Sequence, residues 1–368
     1  MMRRAWRMQS WGARGVKRPR SIKHTRREAA AQHQAASASG VAGGKVYLDP
    51  VQDEATAFAP ATVANLGPGF DWLGCAVEGD GDTVTAKVLR DQPGKVVIES
   101  IVGDNGRLSL DPADNCIGIA ATETLKLLGN PSCGVSLTLH KGLPLGSGMG
   151  SSAASAAAAA WAVNGLFGAP LSKSQLVLAG LASEAAVSGY HADNIGPALL
   201  GGFVLVRSMD PLQLIPLAFG GGNNQPLYFA LVNPKFEAPT KKMRAVLPQE
   251  VPFKSMINNS CQGGSLVAAI LTGDAALLGA ALDSDVIIEP VRAPLIPGMQ
   301  AVKEAAKKAG AYGCTISGAG PTAVAVVPDP EVGTAVIEAM GAAFRQSGGL
   351  EVNSSAVVRL DPEGAKFV

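Results

Sequence analysis

Residues 144–160 read PLGSGMGSSAASAAAAA: three glycines alternating with other residues, two serines, then a nearly unbroken run of alanines. This arrangement suits an anion. The first turn of a helix leaves about four backbone N–H groups without intrahelical partners and carries roughly half a positive charge. Glycines ahead of it let the backbone approach an anion closely, and Ser151 and Ser152 put hydroxyls at the mouth. Gly146, Gly148 and Gly150 are spaced GxGxG, which is not the dinucleotide fingerprint GxGxxG. No lysine directly precedes the serines, so the P-loop pattern is absent too. Lys141 lies upstream, where it could reach a phosphate. The competing reading is a structural turn leading into a buried helix.

Other polar groups invite the same double reading. Ser152 and Glu184 offer two oxygens to Mg²⁺, a hard cation that usually keeps its waters and takes one or two protein ligands plus phosphates; alone, Glu184 reads as a solvated helix residue. His191, Asp193 and Asn194 fall within four residues of a glycine-bounded loop, a substrate-binding loop or a capping cluster. Asn65 and Asp71 frame a Gly-rich bend, where Asp71 could bind an ammonium and Asn65 a hydroxyl. Thr240–Arg244 and Glu289–Arg292 put arginines in the second half of the chain. Arginine suits bidentate carboxylate recognition, and equally a surface ion pair. SGAG at 317–320, between two apolar runs, reads as a second backbone anion site or an ordinary hairpin turn.

The elements that must position these groups follow from periodicity. Strands are expected over 83–89, 96–101, 134–140, 203–207 and 227–232, and a helix over 115–128. The alanine-rich helix runs from about Ser151 to 166–168, and the next, capped by Ser172 or Ser174, runs over 176–186. Residues 60–74 and the start of 188–202 read as loops, and 208–226 as a Gly/Pro-rich connection with a boundary at 219–226. Further helices are expected near 241–245, 258–271, 275–281, 298–309 and 331–346, with a strand–turn–strand unit at 313–328 and a last strand at 354–360. The pattern is α+β with two lobes and no internal repeat.

The chain has 368 residues and a net charge of +1, which hides an asymmetry. Residues 1–44 carry ten Lys/Arg and one acid, a net +9, so the rest is −8. The tail lacks an apolar run and reads as an organelle transit peptide, with a disordered nucleic-acid-binding arm as the alternative. The acidic body argues against broad nucleic-acid contact. Five widely spaced cysteines without a CxxC suggest reduced thiols in an intracellular compartment. The apolar run at 153–163 is too short to span a bilayer, so no membrane partner is expected.

Together PATVANLGPGFDWLG at 60–74, PLGSGMGSSAASAAAA at 144–159 and GCTISGAGPTAVA at 313–325 resemble the GHMP small-molecule kinases. NLGPGFD at 65–71, SGYHADNIGPALLGGF at 188–203, TKKMRAVLP at 240–248 and EPVRAPLIPG at 289–298 resemble the plant-type homoserine kinases within them. The resemblance covers about 55–360. It implies a two-lobed fold: an N-terminal ATP-binding α+β lobe over 45–218 and a C-terminal ferredoxin-like α+β lobe over 219–368, following the transit segment. It implies that Gly146, Ser147, Gly148, Met149, Gly150, Ser151 and Ser152 wrap the ATP phosphates, flanked by Pro144, Leu145 and Ala153 with Lys141 nearby, while Ser317, Gly318 and Gly320 close over them. Ser152 and Glu184 are implied to hold Mg²⁺. Asn65, Asp71, His191, Asn194, Thr240, Arg244 and Arg292 are implied to surround L-homoserine, with its carboxylate on the two arginines and its ammonium on Asp71. A plastid location, with the mitochondrion as the alternative that the tail alone does not separate, and a homodimer are implied as well.

Met149 stands where this family usually has Leu, and Gly196 where it commonly has Ala; neither should disturb its loop. The position of the general base in sibling kinases falls at Asn194, which cannot take a proton. Catalysis is therefore expected to rest on positioning and charge, through Lys141, Asn194 and Arg244, without a strong dedicated base, unless the adjacent Asp193 points inward. A sibling kinase acting on an isoprenoid precursor or a sugar, and a catalytically silent ligand sensor, are the competing functions.

Overall fold

The computed structural model describes residues 47–129, 131–187, 189–223 and 225–368. The expected transit segment over 1–44 lies outside the described residues, as do Asn130, Ser188 and Asn224 within expected turns and motifs.

The first lobe is built on a sheet of seven strands among the described residues, in which 366–367, 54–64, 73–89, 134–141 and 96–102 lie side by side in that order. Its long hairpin pairs β1 (Glu54–Ala64) with β2 (Leu73–Leu89), antiparallel and bulged between Pro60 and Ala61. β3 (Val96–Val102) runs parallel to β4 (Gly134–Lys141), and the crossover between them is α1 (Cys116–Leu128), capped by the Asn115 side chain. α2 (Ser151–Leu166) is buried nearly all round. Its alanines combine the best helix propensity with side chains short enough to let the helix lie close on β1 and β2. α3 (Lys173–Val187) and the short α4 (Ile195–Leu200) pack beside it.

Two segments read as loops turn out to be strands. β1 continues through Ala64: burial alternates over 54–59, but 60–64 is buried on every residue, so that part lacks the alternation that marks a half-exposed strand. β5 (Phe203–Met209) pairs with β6 (Leu212–Leu217) inside the expected 208–226 connection. Pro216 is tolerated there because β6 pairs only with β5 and is an edge strand.

The second lobe is a four-stranded antiparallel sheet ordered β10 (Val352–Arg359), β7 (Tyr228–Pro234), β9 (Ala323–Val327), β8 (Gly313–Ile316). Both faces are covered, which explains the unbroken apolar runs of β7 and β9. Ala230, Val232, Ala323 and Ala325 face a cluster with α9 (Met299–Lys308) and α10 (Pro330–Gly348). Phe229, Leu231, Val324 and Val326 face α6 (Phe253–Thr272), α7 (Ala275–Leu282) and the β1–β2 hairpin of the first lobe. One continuous core thus joins the lobes. The small helices α5 (Thr240–Ala245) and α8 (Glu289–Arg292) complete the second lobe. β11 (Lys366–Phe367) returns to β1, pinned by Phe367 stacked on Trp161 of α2 at 5.0 Å. The fold is α+β and two-lobed, as the sequence leads one to expect.

All five cysteines are free thiols, four of them buried. Among the described residues no helix is long and apolar enough to cross a membrane.

Candidate active site

A cavity of about 500 Å³ opens where the two lobes meet. Its floor is the 144–150 loop and the start of α2. Gly150 precedes α2 with φ 64°, and no side chain caps the helix, so the N–H groups of its first turn keep their capacity for an anion. A Cβ at Gly150 would lie 1.9 Å from the Thr62 hydroxyl and 3.0 Å from Asn194 Oδ1; at Gly148 it would meet the Ser317 and Gly320 carbonyls at 2.5 and 2.6 Å. Only glycine fits either position.

That close approach welds the loop to the second lobe. The Thr322 and Ser317 hydroxyls donate to the Ser147 and Gly148 carbonyls, each at 2.7 Å. The 317–320 turn therefore sits directly on the glycine loop. Asn65 and Asp71 are reached through a run of left-handed backbone, with φ 73° at Asn65 and 63° at Asp71, a conformation that Asn and Asp tolerate better than most residues.

Charged groups gather in the same cavity. Arg244 on α5 grips Asp71 with both guanidinium nitrogens, at 2.6 and 3.1 Å. Arg292 on α8 is 3% exposed and donates to the Met243 and Gly318 carbonyls at 3.0 and 3.3 Å. Among the described residues it has no carboxylate partner within ion-pair distance. Burial, then the neighbouring Arg244, pushes its pKa down to about 10, so it stays a cation at neutral pH. Phe70 lies beneath both guanidinium groups, at 4.7 Å from Arg292 and 5.4 Å from Arg244. α8 is held in turn by Asp285, which accepts the backbone N–H groups of Ile287, Ile288 and Glu289, and by Glu289, which is buried against Lys303 and Thr315.

Beside Gly150, Asn194 accepts from the Thr62 hydroxyl at 2.8 Å, so its amide nitrogen is what it has left to offer. Asp193 is among the residues that line the cavity and is 2% exposed. Burial first, then the Asp71 charge, pushes its pKa up to about 7, and His191 Nδ1 lies 3.6 Å away. The Ser152 hydroxyl donates to Glu184 Oε1 at 2.8 Å, with Glu184 2% exposed.

Most residues singled out from sequence line this one cavity: Asn65, Asp71, Lys141, Leu145, Gly146, Ser147, Gly148, Gly150, Ser151, Ser152, Glu184, His191, Asn194, Thr240, Arg244, Arg292, Gly318 and Gly320. Pro144, Met149, Ala153 and Ser317 do not. Met149 packs into the core shared by the lobes, Ala153 into the core of the first lobe, and the Ser317 hydroxyl is turned to the Gly148 carbonyl. Three expected roles differ in detail. Asn65 spends its amide on the scaffold, donating to the Gly318 carbonyl and accepting from the Asp71 N–H, so it braces the bend. Asp71 and Arg244 meet each other directly. The Lys141 ammonium is buried against Asp82. Phe70 and Asp82 join these groups, one beneath the arginines and the other against Lys141. An aromatic in a Gly-rich bend and an acid in the run EGDGD at 78–82 carry no signal until the sheet register is known.

A glycine loop at a helix N-terminus that shares one cavity with a cluster of charged groups fits a ligand that carries phosphate. The family model for the GHMP kinases N terminal domain matches residues 115–202, and that for the GHMP kinases C terminal domain matches 266–346. The chain belongs to the GHMP kinases, which are phosphotransferases that use ATP. It is 60% identical to the homoserine kinase of Arabidopsis thaliana, over 88% of this chain and 87% of that one. It is 44% identical to that of Chloroherpeton thalassium, over 81% and 94%. The crystal structure of homoserine kinase from Cytophaga hutchinsonii superposes with a TM-score of 0.80 at 38% identity, over 88% of this chain and all of that one. Within the GHMP kinases the chain belongs to the homoserine kinase family.

Proposed function

We propose that this protein transfers the γ-phosphoryl group of ATP to the side-chain hydroxyl of L-homoserine, giving O-phospho-L-homoserine for threonine synthesis and, in the plant-type branch, for methionine. The observation that carries this reading is the trio Asp71, Arg244 and Arg292 lining the same cavity as the glycine loop. A zwitterionic amino acid presents the complement: an ammonium for Asp71 and a carboxylate for the two arginines. Mevalonate has no ammonium, and galactose carries no charge.

The chain's own groups then divide the work. The first turn of α2 and the 146–150 loop supply N–H donors and the positive end of a helix to the phosphates. Ser152 and Glu184 are hard oxygen donors side by side, so they fit Mg²⁺, which when bound supplies charge neutralisation along the phosphates. Asn194 sits at the loop end of the cavity, against Thr62 and Gly150, and donates its amide N–H to the acceptor hydroxyl. Asp193 is buried, and burial first, then the Asp71 charge, keeps its carboxyl well above the usual carboxylate range. The mechanism therefore rests on alignment and electrostatic stabilisation, without a dedicated base.

The acidic body and basic tail support a plastid protein that acts on small molecules, and the resemblance supports a homodimer. The test is ADP release by a coupled assay with L-homoserine, mevalonate and galactose. Turnover with homoserine alone is expected. Turnover with another acceptor makes it a sibling kinase, and ATP binding without turnover makes it a sensor.

A further inference from the structure

Asp82 stands on β2 directly opposite Lys141 at the end of β4, and it has no exposed surface. One carboxylate oxygen accepts the backbone N–H groups of Gly142 and Leu143, at 3.0 and 3.1 Å, the first residues of the segment that leads into the glycine loop. The other accepts from the Lys141 ammonium and, at 2.5 Å, from the Ser155 hydroxyl. Lys141 also donates to the Ser151 carbonyl at 3.0 Å, the Ser151 hydroxyl at 2.6 Å and the Ser155 hydroxyl at 3.0 Å. An ammonium has three protons, and four acceptors here compete for them, all within the protein.

We propose that Asp82 is the positioning residue of the nucleotide site: it ties the start of the 142–150 loop to the first turn of α2, and it converts Lys141 from a phosphate ligand into the strut between them. This rests on the reading of that loop as the ATP phosphate site. Asp82 holds Gly142 and Leu143 directly, and holds Ser151 and Ser155 through Lys141. The two ends of the loop are therefore fixed by one buried charge pair before any nucleotide arrives. The pair also sets the rotation of α2, so that Ser151 turns inward to Lys141 while its neighbour Ser152 turns to Glu184.

The test compares Asp82→Asn, Asp82→Glu, Lys141→Met and the double variant D82N/K141M. The readouts are thermal unfolding without ligand, KM for MgATP, KM for L-homoserine and the calorimetric Kd of MgATP. Asp82→Asn is expected to raise KM and Kd for MgATP by about 10-fold or more, because small misplacements of a binding loop are costly, while KM for homoserine moves less than about twofold. The double variant removes the unpaired buried charge, so it should melt higher than either single variant yet keep the weak MgATP binding. If Asp82→Asn fails to fold, the double variant and Asp82→Glu carry the same comparison. Unchanged or tighter MgATP binding after Asp82→Asn overturns the proposal, since it would show that Lys141, once freed, serves as a phosphate ligand. Both KM values rising together overturns it too, by reducing Asp82 to a general fold contact. Wild-type binding of MgATP without turnover of homoserine defeats the proposed reaction but leaves the Kd comparison intact.

Discussion

Arg244 and Asp71 lie 173 positions apart in sequence and meet in a two-bond fork, at 2.6 and 3.1 Å. Each group holds the charge that the other's ligand would carry. An amino-acid zwitterion can exchange this internal pair for two external ones without leaving a charge bare.

Arg244→Lys should therefore be costly despite conserving charge. A lysine cannot form the fork and does not stack on Phe70 in the same way. The expected outcome is a rise in KM for homoserine of about 10-fold or more, roughly the cost of one charge-assisted hydrogen bond, with KM for MgATP little changed. Steady-state titration of each substrate checks it.

Phe70 supports both guanidinium groups. Cation–π contacts contribute about 0.5–2 kcal/mol each. Phe70→Leu keeps an apolar side chain and removes the ring, so it should weaken homoserine binding by roughly 5- to 50-fold. Its kcat at saturation should stay within about threefold, because the phosphate loop is untouched.

The buried Asp193 makes stability depend on pH with a definite sign. Its pKa rises from 3.8 to about 7 on folding, so the folded protein keeps a proton that the unfolded chain releases earlier. The stabilisation is complete below the unfolded value and is lost as pH rises through about 7. Asp193→Asn removes this dependence: it should gain stability relative to wild type on going from acid to mildly alkaline pH, as read from urea unfolding at both ends. The same variant should lose less than about 10-fold in kcat. A loss of about 10²–10⁴-fold, the size typical of general acid–base groups, would return Asp193 to the role of base.

Ser152→Ala removes the hydroxyl beside Glu184 while keeping helix propensity. The expected result is a higher Mg²⁺ requirement for half-maximal rate and a lower kcat, with KM for homoserine unchanged. Mg·ATP turnover equal to wild type would remove Ser152 from the metal site.

Much of the site was legible because its signals are local. The glycine loop, its serines and the alanine helix are contiguous, so backbone reach and helix polarity could be argued from spacing alone. The elements that went unread are those whose identity depends on both faces being covered, such as the strand through Ala64, or on edge pairing, such as β6. Asp82 looks like a surface acid in an acidic run, and Lys141 like a free cation. Their neutralisation appears only when the register of β2 on β4 sets them opposite each other.

By itself the sequence determined the α+β class, the glycine loop running into a helix at 144–152 and the set of polar residues that line one cavity, because helix termini, glycine freedom and side-chain chemistry are properties of short segments. Only the tertiary structure decided how those groups pair: Asp71 with Arg244, Asp82 with Lys141, both arginines on Phe70, Asn194 with Thr62. Pairing is a matter of a few ångströms between distant segments, and it follows from which strands lie side by side and which faces the shared core draws together.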